Sequence, residues 1–156
     1  MKRLARMLLV NWYFFRKEVI EFDTLTFLTG KNAVGKSTII DALQLVLLAD
    51  TSGSFFNKAA NGRSRRTLAG YLRGELTDDG SGGFTYLRND PFTSYVALEF
   101  FDEEKNLPFT AGCCFDYYPD GDIATLVDRN LCVLRQGHNT IVRAFDPRET
   151  HYDETD

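Results

Sequence analysis

Two glycines, a lysine and a serine stand at fixed intervals in Gly30, Lys31, Asn32, Ala33, Val34, Gly35, Lys36 and Ser37, with Thr38 following. This G-x-x-x-x-G-K-S spacing is the pattern of a loop that cradles phosphate. The chemistry follows from the residue types. Gly30 and Gly35 let the backbone turn with its amides pointing inward toward an anion. Lys36 is placed to bridge β- and γ-phosphates, the Ser37 hydroxyl to ligate Mg²⁺, and the amides from Asn32 to Thr38 to hold the α- and β-phosphates. A nucleoside triphosphate with Mg²⁺ is what this set would take. Asp41, one turn further on, reads as a surface charge or a neighbour of the loop rather than a metal ligand.

Such a loop works only between a strand and a helix, and the flanking sequence offers both. Leu25–Thr29 (LTFLT) reads as a strand, preceded by strands at Arg3–Val10 and Glu18–Phe22. Lys36–Leu48 reads as a helix with an apolar stripe of Ile39, Ile40, Leu43, Val46 and Leu47. Ala49–Arg66 is turn-rich, Arg66–Leu76 reads as a short helix and Thr77–Gly83 as a loop. From Tyr95 onward the texture is antiparallel. YVALEFF alternates, Glu103–Asn106 turns into Phe109–Tyr118, and Asn130–Gln136 and Asn139–Phe145 continue as strands. The fold class expected is α/β, a P-loop nucleoside triphosphatase with a mixed, largely antiparallel sheet packed on the P-loop helix. Edges around Phe100 and Phe115 are expected to be open and prone to pairing.

Binding phosphate is not hydrolysing it. Hydrolysis needs a carboxylate at the end of a neighbouring strand and a group that positions water. DIATLVDR ends an apolar run at Asp128, but Arg129 follows rather than glutamate, so a metal-site role and a hairpin-end role both stay open. Gly80–Phe84 (GSGGF) lies in a polar loop and reads as a turn. His138 and His151 lack partners at ligand spacing, and no Ser/His/Asp arrangement is present. No catalytic residue is therefore nominated.

The chain has 156 residues, 44% of them hydrophobic, which suits one domain with a core. No apolar run reaches the length of a membrane span. The basic, apolar N-terminus lacks a small-residue cleavage site and passes into strand-like sequence. Cys113, Cys114 and Cys132 have neither metal-knuckle nor disulfide-framework spacing, which fits a reducing cytoplasm. The net charge of −4 is unevenly spread, with twelve Lys/Arg against five Asp/Glu in residues 1–74 and six against seventeen in residues 75–156. The basic half is either a solvated face or a surface that meets phosphate. Its densest part is Lys58, Arg63, Arg65, Arg66 and Arg73, with no acid among them.

The order of two strands, the corner Asn11-Trp12-Tyr13-Phe14-Phe15, a third strand and the P-loop resembles the N-terminal lobe of an SMC-like ABC ATPase head. Phe27–Glu75 resembles most closely the condensin-like SMC subunit of Wadjet systems (the JetC type) and its MukB-like relatives. Ala33 departs from the glycine usual in that loop. The resemblance implies that the nucleotide is ATP and that residues 1–156 are the N-terminal half of a head belonging to a longer coiled-coil protein. The C-terminal lobe of that protein would carry the metal-binding aspartate and catalytic glutamate, so this half alone would be inactive as an ATPase. The resemblance further implies a second head as homodimer partner, kleisin-type and nuclease subunits, and double-stranded DNA bound without sequence specificity. DNA loop extrusion or condensation in plasmid defence, in a bacterial cytoplasm near the nucleoid, is the expected role, with no membrane partner. Arg63, Arg65, Arg66 and Arg73 would meet DNA or nucleotide, and Trp12 and Tyr13 would lie near the adenine or in the core. The family's Mg²⁺-sensing glutamine matches neither Gln44 nor Gln136. The competing reading is a self-contained small P-loop triphosphatase or kinase using Asp128. No guanine-reading Asn/Thr-Lys-x-Asp motif accompanies it.

Overall fold

The computed structural model describes residues 1–32, 34–50, 52–56, 67–76, 85–120 and 123–136, and from residue 118 onward it describes the backbone alone. Strand β1 (Lys2–Trp12) and strand β2 (Phe15–Glu21) form a hairpin; helix α1 (Lys36–Leu47) and helix α2 (Leu68–Arg73) follow. Strands β3 (Phe92–Asp102), β4 (Leu107–Asp120) and β5 (Ile123–Gln136) complete one five-stranded sheet in the order β2-β1-β3-β4-β5. All four pairings are antiparallel, so among the described residues the sheet is not mixed.

Three further expectations are corrected. Leu25–Thr29 is not a strand: it pairs with nothing in the sheet, and Leu25 and Phe27 stay 72% and 75% exposed. β2 is an edge strand of the sheet, yet this segment does not pair with it, and strand-forming composition without a pairing partner specifies no strand. Phe100 and Phe115 do not mark open edges, because they sit on β3 and β4, each paired on both sides. The run around Asp128 is not a hairpin end but the middle of β5, where Asp128 stands opposite Asp116. Asn139–Phe145, the histidines and Gly80–Phe84 lie outside the described residues.

The core forms where the period-two strands meet α1 and α2. Met7 and Leu9 of β1, Val96 and Leu98 of β3, and Cys113 and Phe115 of β4 project onto Ala42 and Leu45 of α1 and Leu68, Tyr71 and Leu72 of α2. Leu8, Val10 and Ala97 form a second cluster on the opposite face. There Arg6 also makes a two-pronged bond to Glu99, at 2.8 and 2.9 Å. Asn11 breaks the alternation. Its φ of 50° lies in the left-handed region that asparagine tolerates, and Trp12 swings to the Met7–Leu9 side.

The buried face of α1 is Thr38, Asp41, Ala42 and Leu45, not the expected stripe. Ile39, Leu43 and Val46 are partly buried against the core, while Ile40 and Leu47 face outward at 40% and 60% exposure. A helix apolar on nearly every side cannot declare its inner face by periodicity. The sheet decides it instead.

Close strand approach leaves a checkable constraint. A β-carbon on Gly112 would stand 2.6 Å from the Val96 carbonyl and 2.8 Å from Ala97 Cα. Gly112→Ala should therefore lower stability by about 1–3 kcal/mol through overpacking. In urea titration this is an earlier midpoint at unchanged slope.

Candidate nucleotide-binding site

The loop of Gly30–Ser37 leads directly into α1. Gly30 and Gly35 have φ of 147° and 98°, values that L side chains rarely adopt. A β-carbon on Gly30 would come within 2.8 Å of Val34, and one on Gly35 within 2.6 Å of Phe14 Cζ and 3.2 Å of Phe15 Cζ. Both glycines are thus fixed by conformation and by space. Lys36 turns back over the loop and donates from Nζ to the Gly30 carbonyl at 2.7 Å and the Lys31 carbonyl at 2.6 Å. Gly35 caps α1 without a side-chain hydrogen bond, and the first turn holds no acid. Its leading amides and dipole are therefore open to an anion. Ser37 is half-buried beside Lys36. These donors, one ammonium, one hydroxyl and a helix N-terminus, fit a triphosphate with Mg²⁺. Ala33 lies outside the described residues.

Behind the loop, α1 is pinned by an aromatic cluster. Trp12, fully buried, donates from Nε1 to the Thr38 carbonyl at 3.2 Å. Its ring stacks on Tyr71, with centroids 4.8 Å apart, and meets Phe56 edge-on. Trp12 is therefore core, not an adenine neighbour. Asp41 is fully buried and accepts a hydrogen bond from the Tyr71 hydroxyl, which corrects its reading as a surface charge. It lies on the Thr38/Ala42/Leu45 face of α1, which the sequence did not reveal.

Sequence reasoning missed Arg88 altogether. Its guanidinium donates to the carbonyls of Leu72 at 2.9 Å, Tyr13 at 2.7 Å and Phe15 at 3.2 Å. Burial, and then the like charge of Arg16, pull its pKa down to about 10, so it stays protonated near neutrality. Tyr13 has φ of 50°, a conformation that costs an aromatic residue roughly 1–2 kcal/mol. It is held there because its N–H donates to the Tyr71 carbonyl at 2.7 Å.

Of the four arginines expected at DNA or nucleotide, Arg63, Arg65 and Arg66 lie outside the described residues. Arg73 is engaged locally: its guanidinium lies 3.4 Å over the Tyr86 ring and donates to Asn89 at 3.3 Å. Gln44 Oε1 is buried without a hydrogen-bond partner among the described residues, and Gln136 is described by backbone alone. Asp128 lies on β5, at the sheet edge farthest from the β1–β2 hairpin.

A family model described as the P-loop containing region of an AAA domain matches residues 4–63. The region is P-loop NTPase-like. The match spans β1, β2, the P-loop and α1 and ends before α2. No curated protein matches the chain. Nucleotide binding follows at that level, and no helix among the described residues is long and apolar enough to cross a membrane.

The Tyr71–Asp41 contact yields a stability test. Tyr71→Phe keeps the stack but removes the hydroxyl donor from a buried carboxylate. Unfolding free energy should fall by about 1–3 kcal/mol in chemical denaturation.

Proposed function

We propose that this chain is the ATP-binding half of an SMC-like ATPase head, completed by a C-terminal lobe that pairs with it. One observation carries the reading. Leu25–Thr29, the segment that feeds the P-loop, stands outside the sheet with Leu25 and Phe27 exposed, and Val34 of the loop and Ile40 and Leu47 of α1 are exposed as well. In self-sufficient P-loop domains the strand before the loop is buried among parallel neighbours, one of which presents the metal-site carboxylate. Among the described residues the only sheet is antiparallel, and it packs against the Thr38/Asp41/Ala42/Leu45 side of α1. A second lobe adding strands along Leu25–Thr29 would bury these exposed apolar residues and bring the missing carboxylates.

Within that plan each residue of this chain has a task. The amides of the loop and of the first turn of α1 hold phosphate, Lys36 places its ammonium on the terminal phosphates, and Ser37 offers a metal ligand. Bound Mg²⁺ would neutralise the charge that builds as the terminal phosphate leaves. The basic segment from Lys58 to Arg73 would meet DNA phosphates without reading bases. Pairing of two heads, kleisin-type and nuclease subunits, and a cytoplasmic role in DNA loop extrusion and plasmid defence complete the proposal.

Mg-ATP binding and turnover, measured beside Lys36→Ala and Asp128→Ala, test it. The expected result is binding that Lys36→Ala abolishes and Asp128→Ala leaves intact, with no turnover at any protein concentration. Turnover first order in protein, lost in both variants, would instead establish a self-contained enzyme and overturn the proposal.

A further inference from the structure

Arg88 precedes β3, far in sequence from the P-loop, yet its hydrogen bonds lead to it. All three acceptors are main-chain carbonyls, two of them in the tip of the β1–β2 hairpin and one at the end of α2. A guanidinium directed at carbonyls rather than at a carboxylate gains no ion pair. What it gains is geometry, since its fork fixes several backbone positions at once. Here it fixes Tyr13 and Phe15 on either side of Phe14, in a turn that Tyr13 enters only with a left-handed φ of 50°. Gly74, with φ of 69°, lets the end of α2 approach this turn, since a β-carbon there would lie 3.0 Å from the Tyr13 carbonyl. The turn in its place sets the Phe14 and Phe15 rings, 4.4 Å apart between centroids, against Gly35. Gly35 is the cap of α1, and Lys36 follows it.

We propose that Arg88 is a positioning residue for the nucleotide site: it locks the Tyr13–Phe15 turn so that Phe14 and Phe15 wall the P-loop at Gly35 and keep Lys36 and the first amides of α1 aimed at phosphate. The inference rests on the reading of Gly30–Ser37 as a nucleotide site. Arg88 touches no phosphate itself. Its effect passes through two aromatic rings to a glycine with no room to move toward them.

The experiment uses the 156-residue chain and a fluorescent N-methylanthraniloyl ATP with Mg²⁺, read by energy transfer from Trp12, the single tryptophan. Wild type, Lys36→Ala, Arg88→Ala, Arg88→Lys, Phe14→Leu and the Arg88→Ala/Phe14→Leu double variant are compared well below their melting temperatures. Arg88→Ala should weaken binding roughly tenfold, the scale on which supporting residues act. The double variant should be no weaker than Arg88→Ala alone, because both changes release the same wall. Arg88→Lys, which keeps the charge but not the fork, should fall between wild type and Arg88→Ala. Without nucleotide, hydrogen exchange at the Ile39 amide, which donates to the Gly35 carbonyl at 3.0 Å, should accelerate in both Arg88 variants. An Arg88→Ala protein that melts earlier yet binds like wild type, or effects that simply add, would overturn the inference. Should Arg88→Ala not fold, wild-type affinity and exchange in Arg88→Lys would overturn it equally. Binding unchanged in Lys36→Ala, or absent from wild type, would instead defeat the nucleotide reading, and the positioning role with it.

Discussion

The indole of Trp12 is the point at which strand, helix and loop are held to one another. Its backbone ends β1, its face lies on Tyr71 of α2, and its N–H reaches the Thr38 carbonyl in the first turn of α1. A carbonyl oxygen has two lone pairs, so Thr38 can accept from the indole and still serve the helix. A buried indole N–H needs an acceptor, and rotating α1 would remove this one. The rotation of α1 in turn fixes which way its leading amides and Lys36 point. Asp41 and the Tyr71 hydroxyl repeat the constraint one turn later, from the other helix. The direction of the phosphate cradle is thus set from behind, by a donor on the sheet and a donor on α2.

That anchoring also shows why the matched region is not a folding unit by itself. The P-loop match covers residues 4–63, but the inner face of β1 is closed by Val96 and Leu98 of β3, and Cys113 and Phe115 of β4 extend the same core. β3 is inserted beside β1 rather than appended at an edge. A fragment ending at residue 63 would leave Met7 and Leu9 half covered and Trp12 without its stacking partner Tyr71. On the other side α1 is covered less completely, and its apolar residues there are what a second layer would take up.

The cradle was legible in the sequence because its chemistry is local: glycines for backbone angles, a lysine and a serine at fixed offsets, a helix directly after. The hairpins were legible for the same reason, since alternation and a four-residue turn at Glu103–Asn106 are short-range signals. What was not legible depended on partners distant in the chain. LTFLT has strand composition, but no strand among the described residues pairs with it. Asp41 is one turn from the loop and would be costly to bury alone, and nothing nearby in sequence announces Tyr71 as its donor. The inner face of α1 was hidden by apolar residues on nearly every side. Arg88 gave no pattern at all, because its partners are carbonyls, which every residue carries.

The pair of carbonyls that holds Lys36 has a thermodynamic meaning. A free lysine side chain samples many rotamers, and about 2 kcal/mol of that freedom is lost when its ammonium is fixed. Here Nζ is held by contacts within the chain itself, to the carbonyls of Gly30 and Lys31. That loss of freedom belongs to folding and not to binding. A phosphate approaching this loop meets a cation already in place, so its affinity reflects the attraction more fully and the ordering less.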